Sequence, residues 1–159
     1  MCIRDRYKTD DFLDCMSRVY RYILSTKNRE LVTIDEEIAN LQEFVKLFNY
    51  LPHRKVLLTS KITSSTLAVP NSLHFIVEQI ARSSIRSQKV ELHLLLEERE
   101  ETISLKYEAV DKVNDELTVQ KLSKLDKAYQ VYSSKRLTIS NEHSERVICI
   151  PKLAIAPTP

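Results

Sequence analysis

Few residues of this chain are spaced for chemistry. The four histidines, His53, His74, His93 and His143, are scattered, with no HExxH string and no carboxylate at ligand spacing, so no metal site is legible. Cys2, Cys15 and Cys149 are odd in number, widely spaced and free of any CxxC. They read as reduced thiols, not as a disulfide frame or a zinc site, and Cys15 reads as a packed thiol. No Ser/His/Asp or Cys/His arrangement follows from spacing. The densest polar string is Asn71-Ser72-Leu73-His74-Phe75-Ile76-Val77-Glu78-Gln79. Glu78 could orient a base or a water there, although a solvated helix carboxylate is the simpler reading.

Composition closes off other classes. The chain has 159 residues, 43% hydrophobic and 29% charged, which suits one globular domain. Lys and Arg number 24 against 22 Asp and Glu, a net charge of +2, so neither nucleic acid nor an anionic membrane is an expected partner. Glycine is absent altogether, where usual usage of ~7% would place about eleven. Glycine lets backbone approach phosphate and take positive φ. A P-loop, a GxGxxG dinucleotide turn and a kinase glycine loop are therefore excluded. No apolar run approaches the ~18 residues that cross a bilayer, and no signal peptide opens the chain. Met1-Cys2-Ile3-Arg4-Asp5-Arg6 reads as a translated adaptor. Residues 1–6 are expected to be a non-native leader on a naturally longer chain.

The elements that must position these residues follow from periodicity. Between Asp11 and Thr26, Phe12, Met16, Val19 and Ile23 recur as a heptad seam. Thr33 and Glu36 form a capping box ahead of Ile34, Ile38, Leu41, Val45 and Phe48, a second seam. Seams this narrow suit helix-on-helix packing and a dimer; the alternative is that they cover the domain that follows. Val56, Leu58 and Ile62 belong to a β-like stretch, and Leu73, Ile76, Val77 and Ile80 mark a third helix to about Ser84. Val90 to Leu96 and Ile103 to Ala109 alternate as two strands of a hairpin through Glu97 to Glu101. Leu122, Leu125, Tyr129 and Tyr132 make a fourth helix, Leu137 to Ile139 and Val147 to Ile150 are closing strands, and 154–159 is a loose tail. The expected fold is α+β: a helical lead over 7–51, then over 52–153 an α/β sandwich with helices on one face of a mixed sheet.

Several strings resemble the LytS-type sensor histidine kinases of bacteria. Tyr22-Ile23-Leu24-Ser25 with Leu31-Val32-Thr33-Ile34-Asp35-Glu36-Glu37-Ile38 is similar to that family's "RY-L…LVTLEEEL" segment, where the dimerisation hairpin passes into a connecting helix. Val69-Pro70 with Leu73-His74-Phe75-Ile76-Val77-Glu78-Gln79-Ile80-Ala81-Arg82-Ser83-Ser84 resembles its "IPP…LQPLVENAIKHG", the N-box helix of a GHKL ATP-binding domain. Leu137-Thr138-Ile139 and Val147-Ile148-Cys149-Ile150-Pro151 match its last two strands.

The departures fall on the family's functional positions. Gln79 stands where the family's asparagine holds magnesium, and its carbonyl lies one methylene further out. Magnesium demands near-octahedral geometry at ~2.0–2.1 Å and tolerates little misplacement. Ser83 and Ser84 replace a histidine and a glycine. Glu108-Ala109-Val110-Asp111-Lys112-Val113 stands in place of the adenine-pocket DxGxG, and Thr118-Val119-Gln120-Lys121 in place of a glycine-rich lid. Without lid glycines there is no amide cradle for phosphate. The family's phosphoacceptor string "NPHFLFN" is absent, and His74, inside the N-box match, reads as a helix histidine.

The resemblance therefore implies a degenerate GHKL-like module, with Glu78, Gln79 and Ser83 at degenerate N-box positions and no catalytic residue. No cofactor is expected; ATP and magnesium belong to the alternative of a truncated active kinase. A second alternative is an unrelated α/β protein-interaction domain. The family further implies a homodimer through Phe12, Met16, Val19, Ile23, Ile38, Leu41, Val45 and Phe48 and a LytTR-type response regulator. It implies a cytoplasmic bacterial location, with a membrane anchor only through upstream segments. Phe75 or Tyr107 is expected to narrow the cleft beside the third helix.

Overall fold

The capping box forms as the sequence dictates. The Thr33 hydroxyl accepts from the Glu36 amide at 3.2 Å, and Glu36 accepts from the Thr33 amide at 2.9 Å. Arg29 adds a two-pronged ion pair to Glu36 at 2.8 and 3.0 Å. Together these fix the start of a helix over Ile34–Asn49.

The computed structural model describes residues 3–51, 55–84, 91–108 and 119–154. In chain order these form α1 (Ile3–Thr26), β1 (Val32–Thr33), α2 (Ile34–Asn49), β2 (Lys55–Lys61), β3 (Leu67–Ala68) and α3 (Ser72–Ser84). Then come β4 (Glu91–Glu98), β5 (Thr102–Glu108), α4 (Val119–Gln130), β6 (Thr138–Glu142) and β7 (Glu145–Pro151). The five-stranded sheet has the order β2-β4-β5-β7-β6. Its β2–β4 pair is parallel and the others antiparallel, so the sheet is mixed.

Pairing sets Ser60, Leu96, Leu105, Ile148 and Ile139 in one row across all five strands. Strand side chains alternate between faces, so Val56, Leu92, Leu94, Ile103 and Ile150 join that row on the inner face. They pack into one core with Ile34, Leu41, Phe44 and Val45 of α2, Leu73, Ile76 and Ile80 of α3, and Leu122, Leu125 and Tyr129 of α4. The opposite face carries ion pairs instead: Lys55–Glu91 at 2.8 Å, Lys61–Glu97 at 3.3 Å and Lys106–Glu97 at 2.6 Å. Helices thus lie on one face of a mixed sheet, as the periodicity predicts.

Four details differ from the expected elements. Helix α1 begins at Ile3, because residues 3–10 contain no breaker to stop it once the apolar stripe runs out. β1 and β3 are two-residue strands that pair with each other, too short to leave a periodic signal. α4 ends at Gln130, so Tyr132 falls in a turn and is 39% exposed rather than in the core. β6 extends to Glu142 and meets β7 through a turn at His143. The expected strand start at Val90, the strand end at Ala109, the DxGxG position at 109–113, Thr118 of the lid position and the tail 155–159 lie outside the described residues.

Candidate functional site

A buried carboxylate joins α1, α2 and α3, and reaches α4 through Ser72. Glu37 sits in the first turn of α2 and is 1% exposed. Its Oε1 accepts from the Tyr22 hydroxyl of α1 at 2.7 Å and from the Asn71 amide at 2.6 Å. Its Oε2 accepts from the Leu73 amide at 3.0 Å and the Ser72 hydroxyl at 3.4 Å. Those amides are the free donors at the start of α3, so a side chain from α2 caps α3 from across the interface.

The network continues past α3. Ser72 Oγ lies 2.9 Å from the Tyr129 hydroxyl of α4, which in turn accepts from the Val69 amide at 3.4 Å. Thr26, at the end of α1, is buried and accepts from the Asn71 side-chain amide at 3.2 Å. Asn71 takes φ 62°, the left-handed conformation that turns β3 into α3. Asn is among the few non-glycine residues that tolerate it.

Burial raises the Glu37 pKa above the ordinary carboxylate range, opposed by its bonds from Tyr22, Leu73, Asn71 and Ser72. Burial, with the carboxylate charge beside it, likewise raises that of Tyr22. An isolated buried carboxylate would cost several kcal/mol. Here four donors and a helix N-terminus offset that cost, and nothing in the periodicity of α2 distinguishes Glu37 from its exposed neighbour Asp35 or from the capping Glu36.

The N-box positions lie further along α3. Successive residues turn by about 100°, so Gln79 lies on the same side of α3 as Ser72, seven positions earlier. Glu78 shares the α2-facing flank with His74. Gln79 and Glu78 are half-buried, and Glu78 is held by Arg82 at 2.6 Å, an i,i+4 ion pair. Ser83 lies in the last turn of α3. His74 stacks on Phe44 of α2 with ring centroids 3.8 Å apart, and burial lowers its pKa. Tyr107 is buried on the inner face of β5, and Phe75 is half-buried against the core. Among the described residues no group of three or more His, Cys, Asp and Glu gathers as a metal site.

The helical seams fall as follows. Val19, Leu41 and Val45 are buried within the chain, while Phe12, Met16, Ile23, Ile38 and Phe48 are half-buried. Helix α1 packs on α2 with Cys15 and Arg18 against Glu43, the thiol 3.0 Å from the Glu43 carbonyl and the guanidinium 2.8 Å from its carboxylate. Burial and the Glu43 charge raise the Cys15 pKa, consistent with a packed thiol. A second apolar stripe on α1 remains outside: Leu13, Tyr20 and Leu24 are 47%, 60% and 70% exposed.

Comparison with known proteins gives a consistent picture. A family model for histidine kinases matches residues 1–55. No curated protein matches. Among solved structures the chain is similar to the ATP-binding domain of PrrB from Mycobacterium tuberculosis, with TM-score 0.51 and 12% identity over 79% of this chain and 97% of that one. It is also similar to the Acinetobacter baumannii histidine kinase AdeS, with TM-score 0.49 and 12% identity over 89% and 76%. The lead matches a histidine-kinase family model, and the chain shares its fold with the ATP-binding domain of PrrB. Among the described residues no helix is long and apolar enough to cross a membrane.

Replacing Glu37 with Gln turns one acceptor oxygen into a donor facing other donors, and should destabilise the fold by about 2–3 kcal/mol in urea denaturation. The pH dependence carries a sign. With its folded pKa raised, Glu37 contributes stability that is present below about pH 4.3 and lost as pH rises through the raised value. E37Q should remove that loss. Glu36 and Glu98, each held at about 2 by ion pairs and donors, should keep theirs, lost as pH falls towards 2. An unchanged pH profile in E37Q would contradict this assignment.

Proposed function

We propose that this chain is a degenerate histidine-kinase module that does not bind ATP with magnesium and acts in two-component signalling through self-association or partner docking. The observation that carries the reading is the absence of glycine from a chain whose sandwich has the fold of an ATP-binding domain. A lid that closes over phosphates needs backbone that only glycine supplies at its tightest points. The donors on α3 point the same way. Gln79 offers its carbonyl one methylene further out than asparagine, and Glu78 is engaged by Arg82. These residues do not fit a magnesium–nucleotide site in the family's manner, and no phosphoryl-transfer step is assigned to them.

In this reading α1 carries self-association. Its inner stripe is partly consumed against α2, leaving Leu13, Tyr20 and Leu24 beside Met16 as the apolar flank for a second copy. The expected downstream partner is a LytTR-type response regulator, in the cytoplasm of a bacterium. α2 falls within the helical lead of 7–51 by sequence, yet its buried side chains share the core of the sandwich. Motion of the lead is therefore felt by the body.

Isothermal titration with ATP and magnesium should show no binding tighter than about 1 mM. A low-micromolar dissociation constant abolished by Gln79→Ala would overturn the degenerate reading and favour an active kinase. For self-association, sedimentation should find the parent chain dimeric at micromolar concentration. Leu24→Glu should shift it to monomer by placing a charge in the apolar flank. A parent chain that sediments as a monomer would remove the α1 interface from the account.

A further inference from the structure

The outer side of α1 carries a pattern that no contact among the described residues uses. Leu13, Ser17, Tyr20 and Leu24 recur at spacings of 4, 3 and 4, and all four are exposed. At about 100° per residue they form one stripe. It lies roughly 140° round the helix from buried Cys15, Val19 and Thr26, and so faces away from α2 and the core. Charges border the stripe on one flank. Asp10, Asp14 and Arg21 stand together there by the same rotation, exposed and without an ion pair or hydrogen bond among the described residues. Asp14 adds only a weak pull on Arg18, whose guanidinium is taken by Glu43. Asp10 and Asp14, one turn apart, repel each other. The other flank carries Thr9, Met16 and Ile23.

We propose that two copies of the chain associate through these stripes with their α1 helices antiparallel, related by a two-fold axis across the helices. The register that sets Leu13 against the partner's Leu24 also sets Ser17 against the partner's Tyr20. By symmetry the layers run leucine–leucine, serine–tyrosine, tyrosine–serine, leucine–leucine, small against large in the middle. Charge selects the orientation. A two-fold axis across the helices brings each flank against the same flank of the other copy, whereas one along the helices brings it against the opposite flank. In the antiparallel pair Asp14 meets the partner's Arg21, and Arg21 meets the partner's Asp14. In a parallel pair the charged flank would lie against Met16 and Ile23, where an ion is desolvated without a partner.

The pairing has a consequence inside each copy. Tyr20 and Leu24 share the last turns of α1 with Tyr22 and Thr26, which bond Glu37 and Asn71. A second copy seated on Tyr20 and Leu24 therefore steadies the part of α1 that holds the start of α3. Antiparallel helices also set the two Glu37 networks at opposite ends of the helix pair. From Leu13 to Leu24 the stripe spans only about 16 Å, so the pair depends on concentration and on its charges. The inference rests on the self-association proposed above and names its geometry and the residues that choose it. Its test reads orientation separately from association, so the two can fail independently.

Sedimentation and disulfide trapping on the full chain decide it. Asp14→Arg or Arg21→Asp alone should weaken self-association about tenfold, because symmetry makes each reversal act twice. The double swap D14R/R21D pairs opposite charges again and should return the affinity to within about threefold of the parent's. For orientation, mild oxidation of mixed Leu13→Cys and Leu24→Cys chains should trap a linked pair containing one of each, since a disulfide needs Cα atoms about 4.4–6.8 Å apart. L13C alone should trap nothing beyond the parent's background from Cys2, Cys15 and Cys149. The charge swap leaves both leucines in place and reads independently of the cysteine variants. Linked L13C pairs without mixed pairs, or a double swap no tighter than the single reversals, overturns the antiparallel arrangement while self-association stands. A parent that is monomeric at every concentration overturns both.

Discussion

A carboxylate taken out of water must be met on every side, and this fold is arranged around meeting one. Glu37 draws a tyrosine from α1, two backbone amides and a hydroxyl from the start of α3, and through that hydroxyl a tyrosine from α4. Each donor has its own reason to be there. The amides are unsatisfied by their own helix, the serine passes its demand to Tyr129, and Tyr22 is carried by the helix that covers α2. Apolar packing supplies the bulk of the core, but it is indifferent to small rotations of one helix on another. The hydrogen-bonded carboxylate is not, and it specifies how the lead sits on the sandwich.

The lack of glycine shapes the same region. Left-handed backbone is still required where β3 turns into α3 and where β6 turns into β7, and Asn71 and His143 take those positions at φ 62° and 60°. Asn71 then serves twice, its amide bonding Glu37 and its side chain bonding Thr26. The chain thus meets these left-handed turns with asparagine and histidine, two residue types that tolerate them better than most.

Much of this was legible in the sequence, and the limits have physical causes. The Thr33–Glu36 box, the alternating strands and the apolar period of α3 each leave a local signature that tertiary contacts do not overrule. The seams of α1 and α2 were equally legible, but period alone does not say which copy of a helix meets them. Val19 and Leu41 are buried within the chain, while Leu13, Tyr20 and Leu24, outside the marked seam, stay exposed. Glu37 was hidden for a different reason. A polar residue in an amphipathic helix is assigned to solvent, and among Asp35, Glu36 and Glu37 only the three-dimensional position of α1 and α3 singles out the third. The signal that could have found it lay elsewhere: Pro70-Asn71-Ser72 opens α3 with no acidic residue in its first turn to meet the free amides, so an acceptor had to come from another element.

The central claim is that Glu37 joins α1 to α4 energetically as well as geometrically. The direct measurement is a double-mutant cycle in urea between Tyr22→Phe and Tyr129→Phe, which removes a hydroxyl from each end of the network without touching the carboxylate. The two hydroxyls do not bond each other, so in independent sites their effects add to within about 0.5 kcal/mol. Coupling through Glu37 and Ser72 predicts an interaction energy above that, about 0.5–1.5 kcal/mol. Strict additivity would contradict the account and reduce the network to separate local bonds.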